Sequence, residues 1–152
     1  MQAYNLDQLP INLNGWMNSR FLKPILNIEG GWEYWMQIDF PAWLDTSTGL
    51  QWDFRREVVE NNVRLDWAVN TNSMAPRTSI NLKCQTPKYL KSRFLSDVAD
   101  DVTKLRSVGS TYATKLMIAA TVDGDTRDQL VTNGFNSLYK YETLVEFMFL
   151  NC

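Results

Sequence analysis

The feature that most constrains this chain is an apolar period of helical spacing set between two strand patterns. Leu90, Phe94, Val98, Val102 and Leu105 recur at i, i+4, i+8, i+12 and i+15, which lines one face of a helix. Before it, Thr78 to Gln85 alternates, with Ile80, Leu82 and Cys84 on one side and Asn81, Lys83 and Gln85 on the other. After it, Lys115 to Val122 reads KLMIAATV, apolar enough for a buried strand. Strand, helix and strand in that order form a crossover unit, and such a unit needs a sheet with helices on its faces.

Upstream, Gln51 to Val59 and Val63 to Thr71 read as extended segments. Asn61-Asn62 between them tolerates positive φ and suits a tight hairpin. In the second segment Val63, Leu65, Trp67 and Val69 should face one way, and Arg64, Asp66, Ala68 and Asn70 the other. A hairpin followed by a crossover predicts an α/β fold with a mixed sheet. From Gly31 to Leu44 the spacing of Trp32, Trp35, Met36 and Phe40 fits an amphipathic helix, which Pro41 should kink or shorten. Thr46 to Gly49 reads as a turn. Asn5 to Asn14, broken by Pro10, reads as an irregular lead-in, and Gly15 to Ile28 as a short helix interrupted by Pro24. Gly30-Gly31 reads as a break. Asp125 is a candidate cap for a helix ending near Val131, and Thr143 to Leu150 reads as a last strand. At 152 residues the expectation is one domain, with residues 1–30 as lead-in and 31–122 as the core that bears the polar motifs.

Composition narrows the chemistry. There is no histidine, which removes His-based triads and nearly all usual zinc sites. Two cysteines make no disulfide framework. Hydrolysis, if present, must use carboxylates, lysine, hydroxyls or a hard cation bound through oxygen. The six tryptophans read mostly as packing residues. Net charge is −2, so the whole chain is not a basic nucleic-acid binder, but Leu82 to Arg93 carries Lys83, Lys88, Lys91 and Arg93 with no acid. The sequence has no apolar run of membrane-spanning length and no standard secretory signal, which predicts a cytoplasmic location away from membranes.

Three polar signals fall on regular elements. Glu33 and Gln37 are four apart and share a helix face. Asp66 lies mid-strand in VRLDWAV, and Asn81, Lys83 and Gln85 share one face of the next strand. Neighbouring strands would set Asp66 beside Asn81 and Lys83, and a helix on that face would add Glu33. Carboxylate oxygens in such a cluster suit magnesium, and a lysine beside them stabilises charge on a phosphate.

The runs GWEYWMQIDF, RREVV, VRLDWAV, SINLKCQ and FLSDVADDVTKL, between Gly31 and Val122, resemble a branch of the PD-(D/E)XK, or restriction-endonuclease-like, nucleases. In that superfamily a helix glutamate precedes a strand aspartate, and a D/E-x-K follows on the next strand. The resemblance implies Glu33 as the helix glutamate, Asp66 as the strand aspartate, Lys83 as the motif lysine, and Gln37 and Gln85 as supporting polar residues. It implies magnesium or manganese held by Glu33, Asp66 and the residue at 81. DNA is the implied substrate, with Lys88, Lys91 and Arg93 as phosphate contacts. Cutting two strands calls for a homodimer. The chain departs from the pattern at Asn81, where the family has Asp or Glu. An amide there brings no charge, so metal affinity should fall, whether Asn81 is native or replaces an aspartate. A nuclease of this kind also implies a protein inhibitor or partner. A second reading is a non-catalytic member of the fold that binds nucleic acid or protein, of adaptor or immunity type. A third is an unrelated α/β protein in which Asp66 and Lys83 form an ordinary cross-strand ion pair.

Overall fold

The computed structural model describes residues 1–20, 32–137 and 145–152. Among these, six strands form one mixed sheet in the order β1-β2-β3-β4-β6-β5. β1 (Phe54–Glu60) and β2 (Val63–Val69) form the hairpin. Asn61 and Asn62 turn it with φ of 50° and 63°, a pair of left-handed residues that matches the twist of the strands. β2 runs antiparallel to β3 (Thr78–Cys84), and β3 runs parallel to β4 (Thr114–Thr121). The crossover between them is α3 (Lys91–Ser107), the helix announced by the apolar period. β6 (Glu146–Asn151) adds antiparallel to β4, and a two-residue β5 (Asn136–Ser137), not anticipated from sequence, adds to β6.

Two apolar cores sandwich the sheet. One joins α1 (Leu9–Asn18) and α2 (Glu33–Thr48) to Trp67, Val69, Ile80, Leu82 and Cys84. The other joins α3 and α4 (Gly124–Thr132) to Leu65, Ala68, Met117 and Ala119. Trp16, Trp32 and Trp67 are fully buried, so these indoles are packing residues, and each also finds a hydrogen-bond acceptor.

Several expectations need correction. Asn5 to Asn14 is not an irregular lead-in: a 3-10 turn at Leu6–Gln8 runs into α1, and Pro10 sits in its first turn, where a missing N–H costs nothing. Tyr4, Leu9, Leu13 and Trp16 belong to the core. Of the helix expected over Gly15 to Ile28, the part beyond Arg20 lies outside the described residues, as does the Gly30-Gly31 break. Pro41 does not shorten α2, which continues through the expected turn to Thr48 and ends on left-handed Gly49. The carbonyl that Pro41 leaves without its helical donor is that of Gln37, and the Trp67 indole donates to it at 3.0 Å. α4 is capped by Asp123, not Asp125: the Asp123 carboxylate accepts from the Thr126 N–H at 2.7 Å. Asp125 sits two residues later, inside the first turn.

The strict alternation expected in β2 also fails. Leu65 and Ala68 pack on the α3 side, Trp67 and Val69 on the α2 side, so the phase slips at Asp66. Pairing of β1 with β2 skips Glu57 and Asp66, and Glu57 has φ of 53°. The irregularity spans both strands at the same level, and it lies where the polar cluster gathers.

Candidate active site

Pairing of β2 with β3 stops at Trp67↔Ile80. Beyond that point β3 stays paired with β4 through Cys84↔Ala120, but its other edge parts from β2. Two main-chain N–H groups on the parted edge, those of Leu82 and Cys84, therefore need other acceptors. Asp66 Oδ2 takes the Leu82 N–H at 2.7 Å, and Glu33 Oε2 takes the Cys84 N–H at 3.2 Å. Asn81 Oδ1 in turn accepts from the Asp66 N–H at 3.4 Å. Side chains have replaced the ladder, and alternate N–H groups on one strand, roughly 7 Å apart, anchor the two carboxylates.

The remaining partners close the cluster. Gln37, one turn along α2 from Glu33, donates Nε2 to Asp66 Oδ1 at 2.8 Å. Its buried Oε1 finds no partner among the described residues. Lys83 Nζ lies 3.1 Å from Asp101 Oδ2 and 3.6 Å from Glu33 Oε2. Asp101 comes from α3 and also holds Lys104 at 2.8 Å. Glu33, Gln37, Asp66, Asn81 and Lys83 thus meet at the parting of β2 and β3, joined by Asp101.

Electrostatics follow from burial. Burial pushes the Glu33 carboxyl from its ordinary 4.5 up to about 7; Lys83 opposes the rise and the nearby Asp66 charge adds to it. Burial likewise raises Asp66 to about 6, against the pull of the Leu82 N–H and Lys83. For Lys83 burial works downward, but Glu33 and Asp101 outweigh it and hold the ammonium above its ordinary range. Near neutrality the cluster therefore holds a fixed cation and two acids that share protons with solvent.

Gln85 does not join this group. It is buried in a separate network, donating to Asp123 Oδ2 at 2.6 Å and Thr126 Oγ1 at 3.1 Å and accepting from Thr121 Oγ1 at 2.7 Å, which ties the end of β3 to the start of α4. Lys88, Lys91 and Arg93 are exposed around the start of α3, and Lys91 lies 3.9 Å from Asp125. Asp101 was not singled out from sequence. Its signal was present: it falls seven residues after Phe94, on the buried face of the helix, where an acid needs a partner.

Among the described residues no three His, Cys, Asp or Glu side chains gather so as to hold a metal ion. The cluster offers the carboxylates of Glu33 and Asp66 and amide oxygens at Asn81 and Gln37, while its third carboxylate, Asp101, is tied to Lys83 and Lys104. No family model matches the chain, and neither a curated protein nor a solved structure matches it. Among the described residues no helix is long and apolar enough to cross a membrane.

Proposed function

We propose that the chain is a restriction-endonuclease-like, metal-dependent DNA endonuclease whose activity is weakened by Asn81. The observation that carries this reading is the meeting of Glu33, Asp66, Asn81 and Lys83 where β2 parts from β3. An ordinary surface ion pair would not need two carboxylates to cap strand N–H groups below the surface. The donor chemistry fits a hard divalent cation such as magnesium or manganese: Glu33, Asp66 and the Asn81 amide would hold it, and all are oxygen donors. Glu33 and Asp66 are both buried beside Lys83, and the Gln37 Oε1 next to them has no partner among the described residues. When bound, the cation supplies Lewis acidity and a lowered pKa for water. Lys83 presents a permanent positive charge to a phosphate, and Asp101 fixes its position.

One observation favours a second reading, a nucleic-acid-binding member of the fold without catalysis. Both Asp66 oxygens are engaged, by the Leu82 N–H and by Gln37, and position 81 is uncharged. Calorimetric titration with magnesium and manganese separates the two. The enzyme reading expects weak binding by the chain as it stands, binding at least tenfold tighter by Asn81→Asp, and loss of that gain in Asn81→Asp/Asp66→Ala. Equal affinity in all three proteins would favour the binding module.

A further inference from the structure

Beside the cluster, on the side of α2 and β1, lies a cavity of about 280 Å³ lined by Gln37, Ile38, Pro41, Phe54, Arg56 and Trp67. It is just below the roughly 300 Å³ at which drug-sized sites begin, so it takes one flat ring system. Its walls divide by chemistry. Ile38, Pro41 and Phe54 are apolar. Arg56 brings a cation whose guanidinium sits 4.8 Å from the centre of the Tyr34 ring. Glu57, 3.8 Å from Arg56, is held more closely by Arg64 at 2.6 Å, which leaves Arg56 with charge to spare. Gln37 and Trp67, only 3% and 0% exposed, are buried behind these walls. Tyr34 and Ile38, one turn apart on α2, are exposed at 55% and 48%.

We infer that this cavity holds one unpaired nucleobase of a nucleic-acid strand, with Tyr34 and Arg56 as its stacking and phosphate-binding edge. A base offers a flat apolar face with polar edges, and its backbone brings an anion; the cavity offers the apolar surfaces of Ile38, Pro41 and Phe54 and an arginine. Aromatic rings and guanidinium planes are the usual platforms for unstacked bases. The cavity also connects to the proposed chemistry, because the same Gln37 that lines it donates to Asp66. The inference rests on the nuclease reading and deepens it: the substrate would be single-stranded DNA.

The test is fluorescence anisotropy with the full chain. Probes are a labelled single-stranded oligonucleotide, a duplex of the same length, and the single strand with abasic positions. The inference expects the intact single strand to bind more tightly than the other two. Arg56→Ala and Tyr34→Ala should each weaken single-strand binding by about tenfold while leaving duplex binding unchanged. Both residues are on the surface, so the variants should fold, and circular dichroism checks this. If all probes bind alike and neither variant changes them, while Lys88→Glu/Lys91→Glu weakens duplex binding, the cavity inference is overturned and the nucleic-acid reading stands. If no oligonucleotide binds but adenosine monophosphate does, in an Arg56-dependent way, the cavity stands and the nuclease reading falls. If nothing binds, both fall.

Discussion

Replacing Glu33 with glutamine should change how stability depends on pH more than it changes stability in acid. The carboxyl titrates at about 7 in the fold against an ordinary 4.5. A folded-state value above the unfolded one means that the native protein binds the proton that the unfolded chain releases. Stability therefore falls as pH rises from about 4.5, and the loss is complete above about 7. At about 1.4 kcal/mol per tenfold in proton affinity, the whole loss is about 3.5 kcal/mol, of which roughly 2.5 kcal/mol falls between pH 5 and pH 8. Glutamine keeps an oxygen for the Cys84 N–H, and Lys83 keeps Asp101 at 3.1 Å. Asp66 shifts in the same direction in both proteins and largely cancels from the comparison. Urea unfolding followed by tryptophan fluorescence at pH 5 and pH 8 should show the unsubstituted chain losing that much more stability than the variant across the interval. Parallel pH profiles would refute the claim that Glu33 is a strained, buried acid.

Two further outcomes follow from the same geometry. Asp123→Ala should cost about 1–2 kcal/mol in the same urea assay, since it removes the α4 cap and a Gln85 partner, whereas Asp125→Ala should stay within about 0.5 kcal/mol. Lys88→Glu/Lys91→Glu should weaken duplex DNA binding most at low salt and flatten its salt dependence in an anisotropy titration; an unchanged slope would mean that the patch is merely solvated.

Much of this arrangement was legible because strands and helices carry their periods openly. The alternation of β3 set Asn81 and Lys83 on the face opposite Ile80, Leu82 and Cys84, and the apolar period fixed α3 and with it the parallel β3–β4 pair. Less legible were the places where a local rule met a tertiary partner. Pro41 should break a helix, but the Trp67 indole satisfies the carbonyl it orphans. Pro10 reads as a breaker unless the helix start is known. The phase slip at Asp66 has no signature in a period-2 pattern, because it depends on Glu57 across the hairpin and on a carboxylate taking a strand N–H. Asp101 was overlooked because the helix was read for its apolar residues, and an acid on that face registers only once Lys83 is known to lie opposite.

The central claim is that this cluster is a phosphodiesterase site short of one charge. Its most direct test is DNA cleavage by the purified Asn81→Asp variant with magnesium or manganese, against an EDTA control and the unsubstituted chain. Aspartate is nearly isosteric with asparagine and would add a third acid beside Glu33 and Asp66. Each ~1.4 kcal/mol removed from the barrier is tenfold in rate, and a charged ligand is worth several times that. Metal-dependent cleavage should rise by orders of magnitude over the unsubstituted chain and be abolished again by adding Lys83→Ala or Asp66→Ala. A folded Asn81→Asp protein that binds DNA and divalent metal yet never cuts would contradict it.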